Sequence, residues 1–299
     1  LAIDEPEATA ERRYQYSSHQ YMRFLALFAF AVAVFIGCFY FSAEIVASYK
    51  KTMAELFANK HLASFVVESI RLGLATLLTW FISNTLVRAG LVDKEMLNQT
   101  YIMPVRDFFQ RYGLSMALTL LALIGLYRIS DIVLGVISNV FYYDLGYSKT
   151  EIANAVKVFG VIMTIIGGFV GGLLSMRYGV IRILFVGGIL ASVTNLLFML
   201  LANIGYDLAW LYIVVSADNL AAGIASAAFI AFLSSLTNIS FTAMQYAIFS
   251  SLMTLIPKVL GGYSGSMVDS IGYSNFFLIT TLLGIPVLIL IAISARRLE

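Results

Sequence analysis

Residues 180–203 read VIRILFVGGILASVTNLLFMLLAN, 24 positions with one charged side chain, Arg182. Wound as an α-helix, such a run is about 36 Å long, enough to cross a hydrocarbon core of about 30 Å. It lacks the polar alternation of a barrel strand, which needs only about 10 residues to cross. Seven further runs of the same kind occupy approximately 22–48, 63–87, 114–143, 151–176, 208–235, 241–268 and 274–294. The chain as a whole is 60% hydrophobic and 12% charged, with a mean hydropathy of +0.88. Soluble domains carry about 25% charged residues, so a water-soluble fold of 299 residues could not hide this much apolar side chain. In lipid the backbone must satisfy its own hydrogen bonds, which leaves helices once barrels are excluded. The expectation is an all-α membrane protein with eight transmembrane helices.

Several function classes fall away. The net charge of +2 carries no basic stripe that would suit nucleic acid. The single cysteine, Cys38, lies in an apolar run and reads as a small buried residue. His19 and His61 stand in polar connectors without companion ligands, so neither a metal nor a cofactor is expected. No Ser-His-Asp, Cys-His or P-loop constellation is present, so the chain reads as a non-enzyme. The stretch 1–20 is polar, begins at Leu1 and lacks a signal-peptide pattern. It reads as a connector from something upstream.

The connectors and helix interiors divide the chain into 1–21, a cytoplasmic connector; 22–87, two additional transmembrane helices; 88–113, a longer cytoplasmic linker; and 114–299, a six-helix bundle. Ser148 and Glu151 have capping-box spacing before the fourth span. Gly167, Gly168, Gly171 and Gly172 supply small residues three and four apart, which allow helices to approach closely in a membrane. Pro257 falls inside the seventh span and should bend it. With the N-terminal connector cytoplasmic, eleven Lys and Arg flank the cytoplasmic side. Only Lys50, Lys51, Lys60 and Lys149 lie opposite. Both ends of the chain are then cytoplasmic.

Besides Arg23, Glu151 and Arg182 at the span ends, eight charges fall inside the spans: Glu44, Glu68, Arg71, Arg128, Asp131, Lys157, Asp218 and Lys258. A charge at the bilayer centre costs about 2.5–3.5 kcal/mol on insertion scales, so these residues must pair, reach a wet cavity or line a pathway. Arg128 and Asp131, three apart, share a helix face. Asp218, with Asn219 beside it, falls near the middle of its helix. Lys157 lies nearer the outer surface and Lys258 follows Pro257. A cavity with these cations and anions would suit a polar solute bearing carboxylate or phosphate groups. Arg128 with Asp131 also reads as a pair that merely locks helices, and the two lysines as side chains reaching for the interface. Glu68 and Arg71 read as a structural pair.

From about Phe108 to Leu298 the chain resembles the AmpG branch of the major facilitator superfamily, inner-membrane permeases for peptidoglycan fragments. The likeness rests on Asp107-Phe-Phe-Gln-Arg111, Leu126-Tyr-Arg-Ile-Ser-Asp131, Gly171-Gly-Leu-Leu-Ser-Met-Arg-Tyr-Gly-Val-Ile-Arg182 and Asp218-Asn-Leu-Ala-Ala-Gly223. Ala227-Ala-Phe-Ile-Ala231 adds to it, and Asn238-Ile-Ser-Phe-Thr-Ala-Met-Gln-Tyr-Ala247 is the most specific stretch. The superfamily loop usually has an acidic residue where this chain has Met176, and relatives often have lysine at Arg128 and glutamate at Asp218. The resemblance implies a twelve-helix core whose halves rock about a central site. This chain would hold the C-terminal half, preceded by two extra helices, with an N-terminal six-helix half absent from it.

The implied cargo is an anhydromuropeptide, a sugar carrying a short peptide, taken across the bacterial inner membrane by proton symport. Arg128 and Lys157 would hold carboxylates. Asn219, Asn238 and Gln245 would offer hydrogen bonds, and Asp131, Asp218 and Lys258 would complete the substrate or proton pathway. Partners beyond lipid and this small-molecule solute are not implied, and nucleic acid is excluded. Two other readings stand beside it: a carrier of acetyl-CoA or another organic anion, using the same cations for phosphates, and a membrane sensor or interaction subunit that binds without flux.

Overall fold

The computed structural model describes residues 16–57 and 60–298, so most of the expected 1–21 connector lies outside the described residues. Every element among the described residues is helical. In chain order they are α1 (Ser18–Phe41), α2 (Ala43–Phe57), α3 (Lys60–Arg88), α4 (Lys94–Leu97), α5 (Met103–Leu126), α6 (Ile129–Asp144) and α7 (Lys149–Ile152). There follow α8 (Gly160–Tyr178), α9 (Val180–Ile204), α10 (Leu208–Leu236), α11 (Thr242–Gly261), α12 (Ser264–Leu282) and α13 (Gly284–Leu298). Short π-helical segments, 98–102 and 153–159, join α4 to α5 and α7 to α8. Among the described residues, eight helical spans are long and apolar enough to cross a membrane, in step with the eight runs of the sequence. The chain is a multi-pass, all-α membrane protein.

Two compact units can be separated. One holds the described residues up to Asp107 together with Asn238–Met244; the other holds Phe108–Thr237 and the chain from Gln245 onward. In the first unit, Ser17 caps α1 through a capping box with Gln20. The helical run then breaks at Ser42, inside the span expected at 22–48. Arg71 of α3 stitches this break: its Nε donates to Ser42 Oγ at 2.9 Å and its Nη2 to the Phe39 carbonyl. Arg71 also pairs with Glu68 at 3.2 Å, and Lys50 of α2 pairs with the same carboxylate at 2.6 Å. Every charge in this cluster is spent on holding α1, α2 and α3 together.

The second unit is organised by close helix crossings. Of the five glycines of α8, Gly160, Gly167 and Gly171 face α10 and two do not. A Cβ on Gly167 would stand 2.3 Å from the Leu220 carbonyl, and one on Gly171 would stand 2.7 Å from Ile224 Cα. Gly223 answers from α10, where a Cβ would meet the Thr164 carbonyl at 2.3 Å. Gly168 and Gly172 have nothing within 4 Å. The spacing of four on one face lets two backbones touch, and dispersion between them replaces the side chains that are missing. Around this crossing the core is aromatic and aliphatic, with Phe141, Phe198, Phe229, Phe232, Phe276 and Phe277 almost wholly buried.

The helices are broken where the sequence runs looked continuous. The expected span 114–143 divides between α5 and α6 at Tyr127–Arg128, where Arg128 has φ −99° and ψ 14°. The expected span 241–268 stops at Gly261 and restarts at Ser264. Pro257 lies inside α11, as expected, and removes one amide from its ladder. Gly272, at φ +76°, then divides α12 near its middle, a conformation that L side chains rarely adopt. Apolar periodicity does not register such breaks, because both halves of each helix remain apolar.

The turn between α6 and α7 is also built from local chemistry. Ser148 and Glu151 form the capping box expected from their spacing. Tyr206 donates to Glu151 Oε1 at 2.7 Å, and that bond holds the Tyr206 phenol above the ordinary tyrosine range.

Candidate functional site

The break at Tyr127–Arg128 places a guanidinium inside the second unit. Tyr127 fixes the position. Its ring stacks on Phe229 of α10 with centroids 4.4 Å apart, and its hydroxyl donates to the Leu184 carbonyl of α9 at 3.0 Å. The next residue, Arg128, is thereby aimed between α6 and α10. Its Nη1 donates to Ser226 Oγ at 2.8 Å, and its Nη2 to Asp131 Oδ2 at 3.3 Å. The two side chains are only 26% and 14% exposed. Neither is fully satisfied: Arg128 Nε and Asp131 Oδ1 are both buried without a hydrogen-bond partner. Buried polar atoms are ordinarily bonded, and unsatisfied ones mark places where a ligand, water or proton is handled.

Asp218 of α10 is electrostatically coupled to Asp131 and Arg128, without a direct ion pair or hydrogen bond to either. Two carboxylates thus share the field of one guanidinium. Fully ionised, the cluster carries one net negative charge inside an apolar bundle, a state that calls for a further cation or a proton.

A second polar seam lies alongside. Asn195 Nδ2 donates to Ser130 Oγ at 2.8 Å, and Ser130 donates to the Thr280 carbonyl at 2.6 Å. The seam ties α6, α9 and α12 together, and Asn195 Oδ1 is buried without a partner.

The remaining expected residues are dispersed. Asn219 joins α8 to α10: its Oδ1 accepts from Thr164 at 3.0 Å, its Nδ2 donates to the Val215 carbonyl at 2.9 Å, and Gly160 leaves room for it. Asn238 starts the single turn 239–241, accepting from the Ser240 amide at 3.1 Å and donating to Asp107 Oδ1 at 2.9 Å. Gln245 is 1% exposed and accepts from Arg111 Nη2 at 3.2 Å. The same nitrogen of Arg111 reaches the Leu236 carbonyl at the end of α10, where a cation meets the negative pole of the helix. Lys258 is exposed in the last turn of α11. Lys157 is exposed in the π-helical segment and lines a groove of its own. The structure therefore gathers Arg128, Asp131 and Asp218, and leaves the others at separate joints.

Ser226, Thr194, Ser130, Asn195 and Arg111 were not singled out by the sequence. The first four are small polar residues within apolar runs, which read as helix-packing residues until a charged neighbour is located in space. Arg111 stood in the quoted motif Asp107–Arg111, but spacing could not place it 125 residues away at the end of α10.

This chain is similar in sequence to known proteins over three-fifths to four-fifths of its length. It is 32% identical over 242 residues to "Putative transporter AmpG 4" of Rickettsia conorii, an alignment covering 80% of this chain and 58% of that protein. With "Putative transporter AmpG 1" of Rickettsia prowazekii the identity is 34% over 187 residues, 62% of this chain and 42% of the relative. With the anhydromuropeptide permease of Escherichia coli it is 32% over 204 residues, 68% of this chain and 41% of that permease. The chain is AmpG-like in sequence. No family model matches it. This AmpG-like chain spans between about two-fifths and three-fifths of the length of these relatives. The relatives carry the names of transporters and permeases, which accords with a role in membrane transport.

Proposed function

We propose that this chain forms part of a secondary transporter that carries peptidoglycan-derived anhydromuropeptides across the bacterial inner membrane, coupled to protons. The observation that carries the proposal is the half-satisfied Arg128–Asp131–Asp218 cluster. Its orphaned Nε is a free donor for a carboxylate or carbonyl of the solute, and its orphaned Oδ1 is a free acceptor. A guanidinium already committed to Ser226 and Asp131 still has a donor edge to offer.

The proton enters through charge balance. With Asp131 and Asp218 both ionised the cluster is one positive charge short. A proton on either carboxylate brings it to neutrality, and a solute carboxylate arriving at Arg128 increases the demand for that proton. Solute and proton then bind more favourably together than apart, which is the thermodynamic content of symport. Alternating access follows from the superfamily architecture, in which two six-helix halves rock about a site near the midplane. Both ends of the chain lie in the cytoplasm on this reading, and the two extra helices precede the transporter half. Lys157 would hold a second anionic group of the solute. Asn219, Asn238 and Gln245 act through helix position, and Lys258 stays outside the pathway.

The test is uptake of labelled anhydromuropeptide into energised vesicles by the full-length protein and its Asp131→Asn variant. The proposal expects uptake to fall sharply and to lose its response to a pH gradient. Undiminished, still gradient-driven uptake by the variant would overturn the assigned role of Asp131.

A further inference from the structure

The groove that holds Lys157 contains a second lysine. Between α6 and the α7–α8 segment lies an open pocket of about 420 Å³ lined by Asn139 and Tyr143 on one wall and by Lys149, Ile152, Ala153 and Lys157 on the other. Lys149 and Lys157 are eight residues apart. In an uninterrupted α-helix, at about 100° per residue, they would diverge by about 80° around the axis. The π-helical segment Ala153–Phe159 inserts the equivalent of one extra residue, which brings the offset down to about 20°. The bulge thus brings both lysines to the lining of one groove.

The acidic residues nearest in sequence are already engaged. Asp144 accepts from the Tyr273 hydroxyl. Glu151 accepts from the Ser148 amide and hydroxyl, both at 2.8 Å, and from Tyr206 at 2.7 Å. Among the described residues neither lysine forms an ion pair. Two exposed cations, a tyrosine and an amide therefore share one groove that contains no carboxylate.

We propose that Lys149 and Lys157, with Asn139 and Tyr143 facing them, form an anion subsite that takes the terminal carboxylate of the transported solute's peptide. The inference rests on the sugar-peptide reading above and assigns the charged end of that solute. Arg128 would then meet a different part of the same molecule. A phosphate of an anionic lipid has the same chemistry, and the test separates the two sources.

Binding would be measured on the full-length protein in nanodiscs of neutral lipid. The ligands are a synthetic anhydromuropeptide with a free terminal carboxylate and the same compound as its terminal carboxamide. A charge-assisted contact predicts that the acid binds roughly tenfold or more tightly than the amide. The Lys149→Gln/Lys157→Gln double variant should bind both alike, at the affinity of the amide. Equal binding of acid and amide by the unaltered protein would overturn the subsite, as would preference retained by the double variant. Equal binding of acid and amide together with stabilisation by added anionic lipid that the double variant lacks would assign the lysines to lipid and also overturn it. If neither compound binds, the sugar-peptide reading fails. Citrate then tests the groove alone, through a rise in melting temperature that the double variant should lack; the same rise in both proteins would overturn the subsite.

Discussion

Arg128 of the α5–α6 break donates to Ser226 of α10 at 2.8 Å, so the only charge-bearing break in the second unit's first span is tied directly to the helix that carries Asp218. This bond joins a mostly buried guanidinium to a small polar residue on the facing helix. Much of the site's expected behaviour follows from it.

Removing one member of the Arg128–Asp131 pair should cost more than removing both. Arg128→Met strands Asp131 among apolar residues, and breaking a buried pair typically costs about 3–5 kcal/mol. Arg128→Met/Asp131→Leu should recover most of that loss while abolishing uptake. Reversible unfolding in detergent, run beside a transport assay, checks both halves of the statement.

The α8–α10 crossing should be intolerant of a single methyl group on the facing glycines and indifferent to it elsewhere. Gly223→Ala would push a Cβ against the Thr164 carbonyl, 2.3 Å away, and is expected to destabilise by about 1–3 kcal/mol. Gly168→Ala, with nothing within 4 Å, should change stability by less than about 0.5 kcal/mol. Melting temperatures of the two variants provide the comparison.

The Asn195–Ser130–Thr280 seam predicts that Ser130→Ala destabilises by about 1–3 kcal/mol, because it removes the acceptor of Asn195 Nδ2 and a donor to the Thr280 carbonyl. Hydrogen exchange of the α6 and α9 amides should rise together, since the serine bridges both helices.

Lys258 and Asp218 should part company in function. Lys258 is exposed and one turn from the end of α11, so Lys258→Gln is expected to leave gradient-driven uptake unchanged. Asp218→Asn removes one of the two carboxylates sharing the field of Arg128 and should abolish the dependence on external pH. Initial rates of uptake across a pH series separate the two outcomes.

The spans were legible because hydrophobic runs of this length permit few alternatives in lipid, and residues 180–203 alone nearly settle the class. The Ser148–Glu151 box was legible because a capping box is local. The breaks at Ser42, at Tyr127–Arg128 and at Gly262–Tyr263 were not, since each sits within apolar sequence that continues on both sides. Arg128 with Asp131 was visible from a spacing of three, but Ser226 was not, because nothing in α10 marks one serine among its small residues. Asn219, Asn238 and Gln245 show the opposite limit: an amide in a membrane helix looks the same in sequence whether it meets a solute or, as Asn219 does with Thr164, the next helix. Lys149 was counted as an interfacial charge because the π-helical turn that aligns it with Lys157 has no sequence signature.

The most direct test of the account is binding of a synthetic anhydromuropeptide to the full-length protein, with acetyl-CoA as competitor. The account predicts saturable binding that acetyl-CoA does not displace and that Arg128→Met removes. Absence of saturable binding, or displacement by acetyl-CoA, would contradict it.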